Sequence, residues 1–194
     1  SYTPAQLRDA YGVTSLIAQG DTGKGQTVVV IESYGSPTLQ HDVDLFDQQY
    51  GLPAITVQVL APIGAMPPFD QNNQDMIGWA GETTEDVDLI HAIAPGANIT
   101  VLESPVDETE GTVGLPQFLQ LEQYAVSHHL GNIISQSWGV SEYTLKDSVS
   151  QQQVQQWDSF FKQATTQSHI TFFSGSGDSG ATDASNIPAL SLIH

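Results

Sequence analysis

Gly25-Gln26-Thr27-Val28-Val29-Val30-Ile31-Glu32-Ser33-Tyr34-Gly35 is the stretch that decides the fold. Thr27 to Ile31 is an unbroken β-branched run between glycines, the pattern of a strand buried on both faces. Such strands belong to parallel sheets with helices covering each side. The rest of the chain alternates accordingly. On its amino-terminal side, Thr3 reads as an N-cap and Pro4 as the first position of a short helix reaching Tyr11-Gly12. On its carboxyl side, Ser36-Pro37 opens a polar helix through Asp44 to Tyr50. A second strand runs from Ile55 to Leu60, and residues 61–80 read as a Pro/Gly/Asn-rich connection.

The alternation continues with a helix from about Glu82 to Ala94, stopped by Pro95-Gly96, and a strand from Asn98 to Leu102. Asp107 to Gly114 is an acidic loop. A helix over Pro116 to His129, a strand over Asn132 to Gln136, a long helix over Gln151 to Gln167 and a strand over Ile170 to Phe173 complete the pattern. No repeat or linker divides the chain, so the expectation is one α/β unit: a mostly parallel sheet, helices on both faces, and ligands at the carboxyl ends of the strands.

Composition narrows the partners. Of 194 residues, 39% are hydrophobic and 13% charged, which suits a globular domain. Four basic residues (Arg8, Lys24, Lys146, Lys162) face 22 acids, for a formal net charge of -18. Four scattered cations do not neutralise nucleic acid or an anionic membrane, so neither is an expected partner. Self-repulsion on this scale fades in acid, so the balance suits acid conditions, although acidic composition also serves solubility alone. There is no cysteine, hence no disulfide, thiol nucleophile or cysteine-bound metal. No run of about 18 apolar residues is present for a membrane span. The opening at Ser1, without a basic and apolar leader, reads as a soluble or already processed chain.

The chemistry concentrates in Gly81-Glu82-Thr83-Thr84-Glu85-Asp86-Val87-Asp88-Leu89-Ile90-His91-Ala92-Ile93-Ala94-Pro95-Gly96-Ala97. Residues four apart share a helix face, so Glu82 and Asp86 are neighbours. Two close carboxyls resist ionising together, which raises one pKa and makes a general base suited to mild acid. The competing reading is an acid-rich first helical turn favoured by the helix dipole.

Glu-x-x-x-Asp followed by Ala94-Pro95-Gly96-Ala97 resembles the signature of the sedolisin, or serine-carboxyl, peptidases. Three further segments resemble that family in order along the chain. They are Val30-Ile31-Glu32 at the end of the first strand, Ser135-Gln136-Ser137-Trp138-Gly139, and Gly175-Ser176-Gly177-Asp178-Ser179-Gly180. The resemblance implies a subtilisin-like α/β fold and peptide-bond hydrolysis in acid. It makes Glu82 the general base, Asp86 its support and Asp178 part of the oxyanion hole; to donate there, Asp178 must hold its proton. Glu32 would extend the proton network from behind, with a solvated strand end as the alternative. Ser137, Trp138 and Gly139 would line the substrate cleft, core packing being the alternative for Trp138. Glu85 and Asp88 fall outside the motif.

The resemblance covers nearly all of this chain but roughly half of the family's domain, so residues 1–194 read as the amino-terminal part of one catalytic domain. The family's nucleophilic serine lies in a Gly-Thr-Ser-Ala-Pro-like segment that does not occur here, and Ser137, Ser179 and Ser191 do not match it. The expected partners are a polypeptide substrate and a carboxy-terminal half or second chain carrying that serine. Calcium is the cofactor implied, with ligands outside this chain, and secretion or a lysosome-like compartment after propeptide removal is the location implied. A non-catalytic fragment or an assembly module on the same scaffold is the alternative.

Other signals weigh less. Gly175 to Gly180 also fits Gly-x-Gly-x-x-Gly, but turn-rich Ala181 to Pro188 follows where a dinucleotide site needs a helix. The six histidines include no His-Glu-x-x-His, and His91 reads as a packed histidine. Asp107-Glu108-Thr109-Glu110 reads as a solvated loop, and Asn98-Ile99-Thr100 is a glycosylation sequon within a strand.

Overall fold

In the computed structural model of the protein, residues 2–109, 112–141 and 144–178 are described. The β-branched run forms strand β1, Thr27–Ser33, with all but its first residue buried. Four parallel strands flank it: β2 (Gln58–Leu60), β3 (Asn98–Ser104), β4 (Ile133–Gln136) and β5 (Thr171–Ser174), in spatial order β2-β3-β1-β4-β5. β1 therefore lies at the centre of the five.

Alternation along β1 sorts the core into two layers. Val28 and Val30 pack with Val101 of β3 under helices α3 (Leu39–Tyr50) and α4 (Gln74–Ile93), through Leu39, Val43 and Val87. Val29 and Ile31 point the other way, toward α5 (Leu115–Ser127) and α6 (Ser148–Gln167), where Phe118, Leu121 and Trp157 lie. Each fully buried valine or isoleucine of β1 contributes roughly 1.5–3 kcal/mol over an exposed one. The result is a helix-sheet-helix arrangement, as the continuous apolar run predicts.

The first helix, α1 (Pro4–Ala10), has a capping box between Thr3 and Gln6. It docks on the end of α4, where Arg8 Nε donates to Ala92 O at 2.6 Å. That contact places a cation at the negative end of the helix. A short α2 (Thr14–Ala18), not expected from the sequence, follows.

Several boundaries differ from expectation. β2 is three residues rather than six, because the Gln40 side chain takes over its first half: Gln40 Nε2 donates to Ile55 O and Gln40 Oε1 accepts from Val57 N, both at 2.9 Å. α3 begins at Leu39 rather than Ser36, and α6 begins at Ser148, where the Asp147 side chain caps Val149 N and Ser150 N. The largest correction concerns α4. It begins at Gln74, eight residues before Glu82, within what reads as a connection. Asn73 Oδ1 caps it by accepting from Asp75 N and Met76 N at 2.9 and 3.2 Å. Gly78 and Gly81 weaken the helical signal of that segment but do not end the helix. Ser179, Gly180 and Ser191 lie outside the described residues.

Candidate active site

The longer α4 changes what Glu82 and Asp86 are. They occupy the helix interior, two and three turns in, so the dipole of the first turn does not account for them. Trp79, Glu82, Thr83 and Asp86 follow one another along one face at helical spacing, and Thr83 Oγ1 donates to Trp79 O at 2.7 Å. The face lies over the carboxyl ends of the strands.

Glu32, near the end of β1, is on the α4 side of the sheet by the alternation that places Val28 and Val30 there. It is fully buried, and neither carboxyl oxygen accepts a hydrogen bond from the rest of the folded chain. Burial first, then the charge of Asp86, pushes its pKa well above the usual carboxylate range. Asp86 Oδ2 is also buried without a donor. Two ionised carboxyls cannot bond, but a proton on Glu32 turns the pair into donor and acceptor, lowering the pKa of Asp86 against the rise that burial imposes.

On its other oxygen, Asp86 Oδ1 accepts from Ser137 Oγ at 2.9 Å. Ser137 follows β4, and its hydroxyl is also close enough to Glu82 to favour the ionised form there. One hydroxyl hydrogen serves one carboxyl at a time, so Ser137 stands between Asp86 and Glu82. Burial, then Asp86, Glu85 and Asp178, raise the pKa of Glu82. The chain from surface to core is Glu82, Ser137, Asp86, Glu32, with increasing burial.

Glu82 opens onto a pocket of about 340 Å³, lined also by Ser137, Trp138, Gly139, Gly177 and Asp178. Asp178 follows β5 and is exposed. Three strand ends and one helix face therefore bring together residues from four separate segments. Trp138 has two roles: it is 94% buried, stacking edge-on to Phe118 at 4.9 Å, and it shows an edge to the pocket. Sequence reasoning missed Trp79 and Glu108, which also line it. Trp79 lies one turn before Glu82, visible only once α4 is extended. Trp79 Nε1 donates to Asp107 Oδ1 at 2.5 Å, which holds the supposedly solvated acidic loop against the site.

The remaining candidates lie elsewhere. Asp88 faces α3, where burial and the charges of Asp47 and Asp42 raise its pKa to about 7. His91 is packed, its Nε2 2.8 Å from Pro53 O and 3.1 Å from Asp47 Oδ1. A larger hollow of about 1060 Å³ separates α5 and α6, but glutamines dominate its wall and no carboxylate among the described residues lines it. Among the described residues no group of three or more His, Asp or Glu is arranged to hold a metal ion, so the calcium implied by resemblance finds no ligand set there.

No family model matches the sequence. Among curated proteins, kumamolisin of Bacillus sp. (strain MN-32) is 27% identical over 185 residues, spanning 94% of this chain and 30% of kumamolisin. Among solved structures, Pseudomonas sedolisin (serine-carboxyl proteinase), complexed with two molecules of pseudo-iodotyrostatin, matches with a TM-score of 0.72 at 24% identity. That match covers 97% of this chain and 47% of the sedolisin chain. The chain is similar to sedolisin-family peptidases and resembles the corresponding region of kumamolisin. The five parallel strands and flanking helices are the subtilisin-like α/β fold expected from sequence. It spans less than half the length of either relative.

Proposed function

We propose that this chain supplies the acid-base and oxyanion parts of an acid-active serine-carboxyl peptidase, and that residues 1–194 form the amino-terminal part of its catalytic domain. The observation that carries the reading is the convergence of Glu82, Ser137, Trp138, Gly139 and Asp178 on one pocket, with Asp86 and Glu32 buried behind Glu82. The substrate is a polypeptide. The nucleophilic serine comes from a carboxy-terminal half or a second chain, and the compartment is acidic and secretory or lysosome-like. Calcium, where bound, sits on ligands outside the described residues and serves the fold of the complete domain.

In the proposed reaction, ionised Glu82 takes the proton of the incoming serine hydroxyl as its oxygen attacks the scissile carbonyl. The carbonyl electron pair moves onto oxygen, where Asp178 forms part of the oxyanion hole. Glu82 then returns the proton to the amine as the C–N bond breaks. Water, deprotonated by Glu82, cleaves the acyl-serine and restores both groups. Asp86 and Glu32 keep a proton available behind Glu82 without touching substrate. Ser137 is not the nucleophile in this scheme, since its hydrogen is directed to Asp86.

In the full-length protein, Glu82→Gln should lower peptide hydrolysis in acid by about 10²–10⁴-fold, the usual span for losing a general base. Thermal stability should be unchanged. Near-normal turnover by this variant would overturn the assignment. A full-length protein that folds yet hydrolyses no peptide at any pH would instead favour the assembly module.

A further inference from the structure

Beside the carboxylate chain lies a second, smaller pocket that the proposed mechanism does not use. It is a cavity of about 200 Å³ walled by Met66, Pro67, Phe69, Met76 and Tyr34, with Glu103 of β3 as its acidic group. Glu103 is 92% buried, and none of the described residues gives its carboxyl a hydrogen bond or a countercharge. Its carboxyl oxygens are not sealed from solvent, so the group opens into the cavity, where a ligand can reach it.

The backbone at the end of β1 is shaped around this carboxyl. Tyr34 and Gly35 both have left-handed φ, +59° and +67°, a conformation that costs a tyrosine roughly 1 kcal/mol or more. A Cβ at Gly35 would stand 1.7 Å from Glu103 Oε1, so a larger residue there would have to displace the carboxyl. Strain of this kind collects at ligand sites. The cavity also adjoins the proposed cleft. The Tyr34 hydroxyl lies against the Asp107 backbone, Asp107 holds the Trp79 indole, and Trp79 lines the pocket of Glu82. Met76 and Trp79 are one turn apart on α4.

We propose that the Glu103 cavity is a side-chain subsite of the peptide cleft and that it takes a neutral residue ending in a carboxamide, glutamine in particular. The inference rests on the peptidase reading above. Its chemistry follows from the pocket: a buried carboxyl with no cation nearby holds its proton, presenting one O–H donor and one carbonyl acceptor. A carboxamide matches both, and the apolar walls cover the methylenes that lead to it. Burial raises the pKa of Glu103 to about 7, so this state spans the acid range. Tyr34 is the titratable side chain sharing the cavity; Asp75 and Asp107 approach Tyr34 rather than Glu103.

The test is a peptide library cleaved by the full-length protein in mildly acid buffer, wild type against Glu103→Leu and Glu103→Gln. One substrate position should prefer glutamine to leucine and to lysine. Glu103→Leu should reduce the Gln-over-Leu ratio of kcat/KM about tenfold, mostly through KM, as expected for losing an enclosed hydrogen bond. Glu103→Gln, which keeps a donor and an acceptor, should retain the preference. An unchanged ratio in Glu103→Leu, or a lysine preference already present in acid, would overturn the proposal. If the protein cleaves no peptide, the peptidase reading fails and the cavity is judged by binding. N-acetylglutaminamide should then shift the Met66 and Met76 methyl resonances of wild type but not of Glu103→Leu, and no shift in wild type would overturn the subsite.

Discussion

Glu32 and Glu122 are equally buried, with no exposed surface, and both have pKa values pushed well above the usual range by that burial. They lie on opposite faces of the sheet. Glu122, on α5, accepts from Gln136 Nε2 at 2.5 Å beside the core of Phe118 and Leu121. Glu32 has no donor but faces Asp86, through which Ser137 and Glu82 lead to the pocket. The consecutive residues Gln136 and Ser137, at the end of β4, serve one carboxyl each. Glu122 is buried with one polar partner, whereas Glu32 is buried at the inner end of a line of polar groups that reaches a pocket.

The largest expected effect concerns both carboxyls together. Glu32, Glu82, Asp86, Asp88, Glu103 and Glu122 all have folded-state pKa values raised above the unfolded ones. A raised pKa means that the folded state binds more protons, so stability is fully present below the unfolded pKa of about 4 and is lost as pH rises. Asp88 and Glu103, at about 7, set the upper part of that window. The net charge of -18 acts in the same direction. The urea midpoint should therefore fall steadily from mild acid to neutral pH, and Glu122→Gln should flatten the fall. A midpoint that rises toward neutral pH would break the account.

Substitutions at the two sites should separate them. Glu122→Ala leaves Gln136 Nε2 without its acceptor and opens a cavity, which should cost about 2–4 kcal/mol in chemical denaturation. The titrations of Glu82 and Asp86, followed by carboxyl NMR, should not move. Glu32→Leu removes an orphaned carboxyl and should alter stability by less than about 1 kcal/mol. It also removes the donor to Asp86, so the Asp86 pKa should rise, whereas Glu32→Gln keeps a donor and should hold it near wild type. Equal effects of Glu32→Leu and Glu122→Ala on the Asp86 titration would erase the distinction.

The difference between these two glutamates was only partly legible in the sequence. The strand run of β1 and the Ala94-Pro95-Gly96-Ala97 stop identify the sheet and the end of α4, because β-branching and proline act locally. The beginning of α4 is not local: Gly78 and Gly81 are poor helix formers that tertiary packing holds in place, so Trp79 stays hidden. Glu122 and Glu103 carry no motif at all. Their burial depends on which side of β3 and α5 meets the sheet, and on a left-handed Tyr34-Gly35 turn that composition does not reveal. That Glu32, Glu82, Asp86, Ser137, Trp138, Gly139 and Asp178 lie near one another was expected only because motif order substitutes for knowledge of which strand ends become neighbours.

The smallest predicted effect tests whether the Glu32 network reaches the surface. Glu85 is exposed and bonded to neither Glu82 nor Asp86, yet its charge raises the pKa of both. Glu85→Gln removes that charge with little change of shape. Glu82 should then titrate a few tenths of a unit lower, the scale of an exposed pair seen through water. Ionised Glu82 is the base in the proposed reaction, so the acid limb of the rate profile should move to lower pH by the same amount. Added salt should shrink the shift, because screening acts on exposed charges first. Glu122, sealed in the opposite layer, should not respond. A shift at Glu122 as large as that at Glu82 would mean that the two carboxyls feel the same field, and the distinction between a sealed group and a connected one would fall.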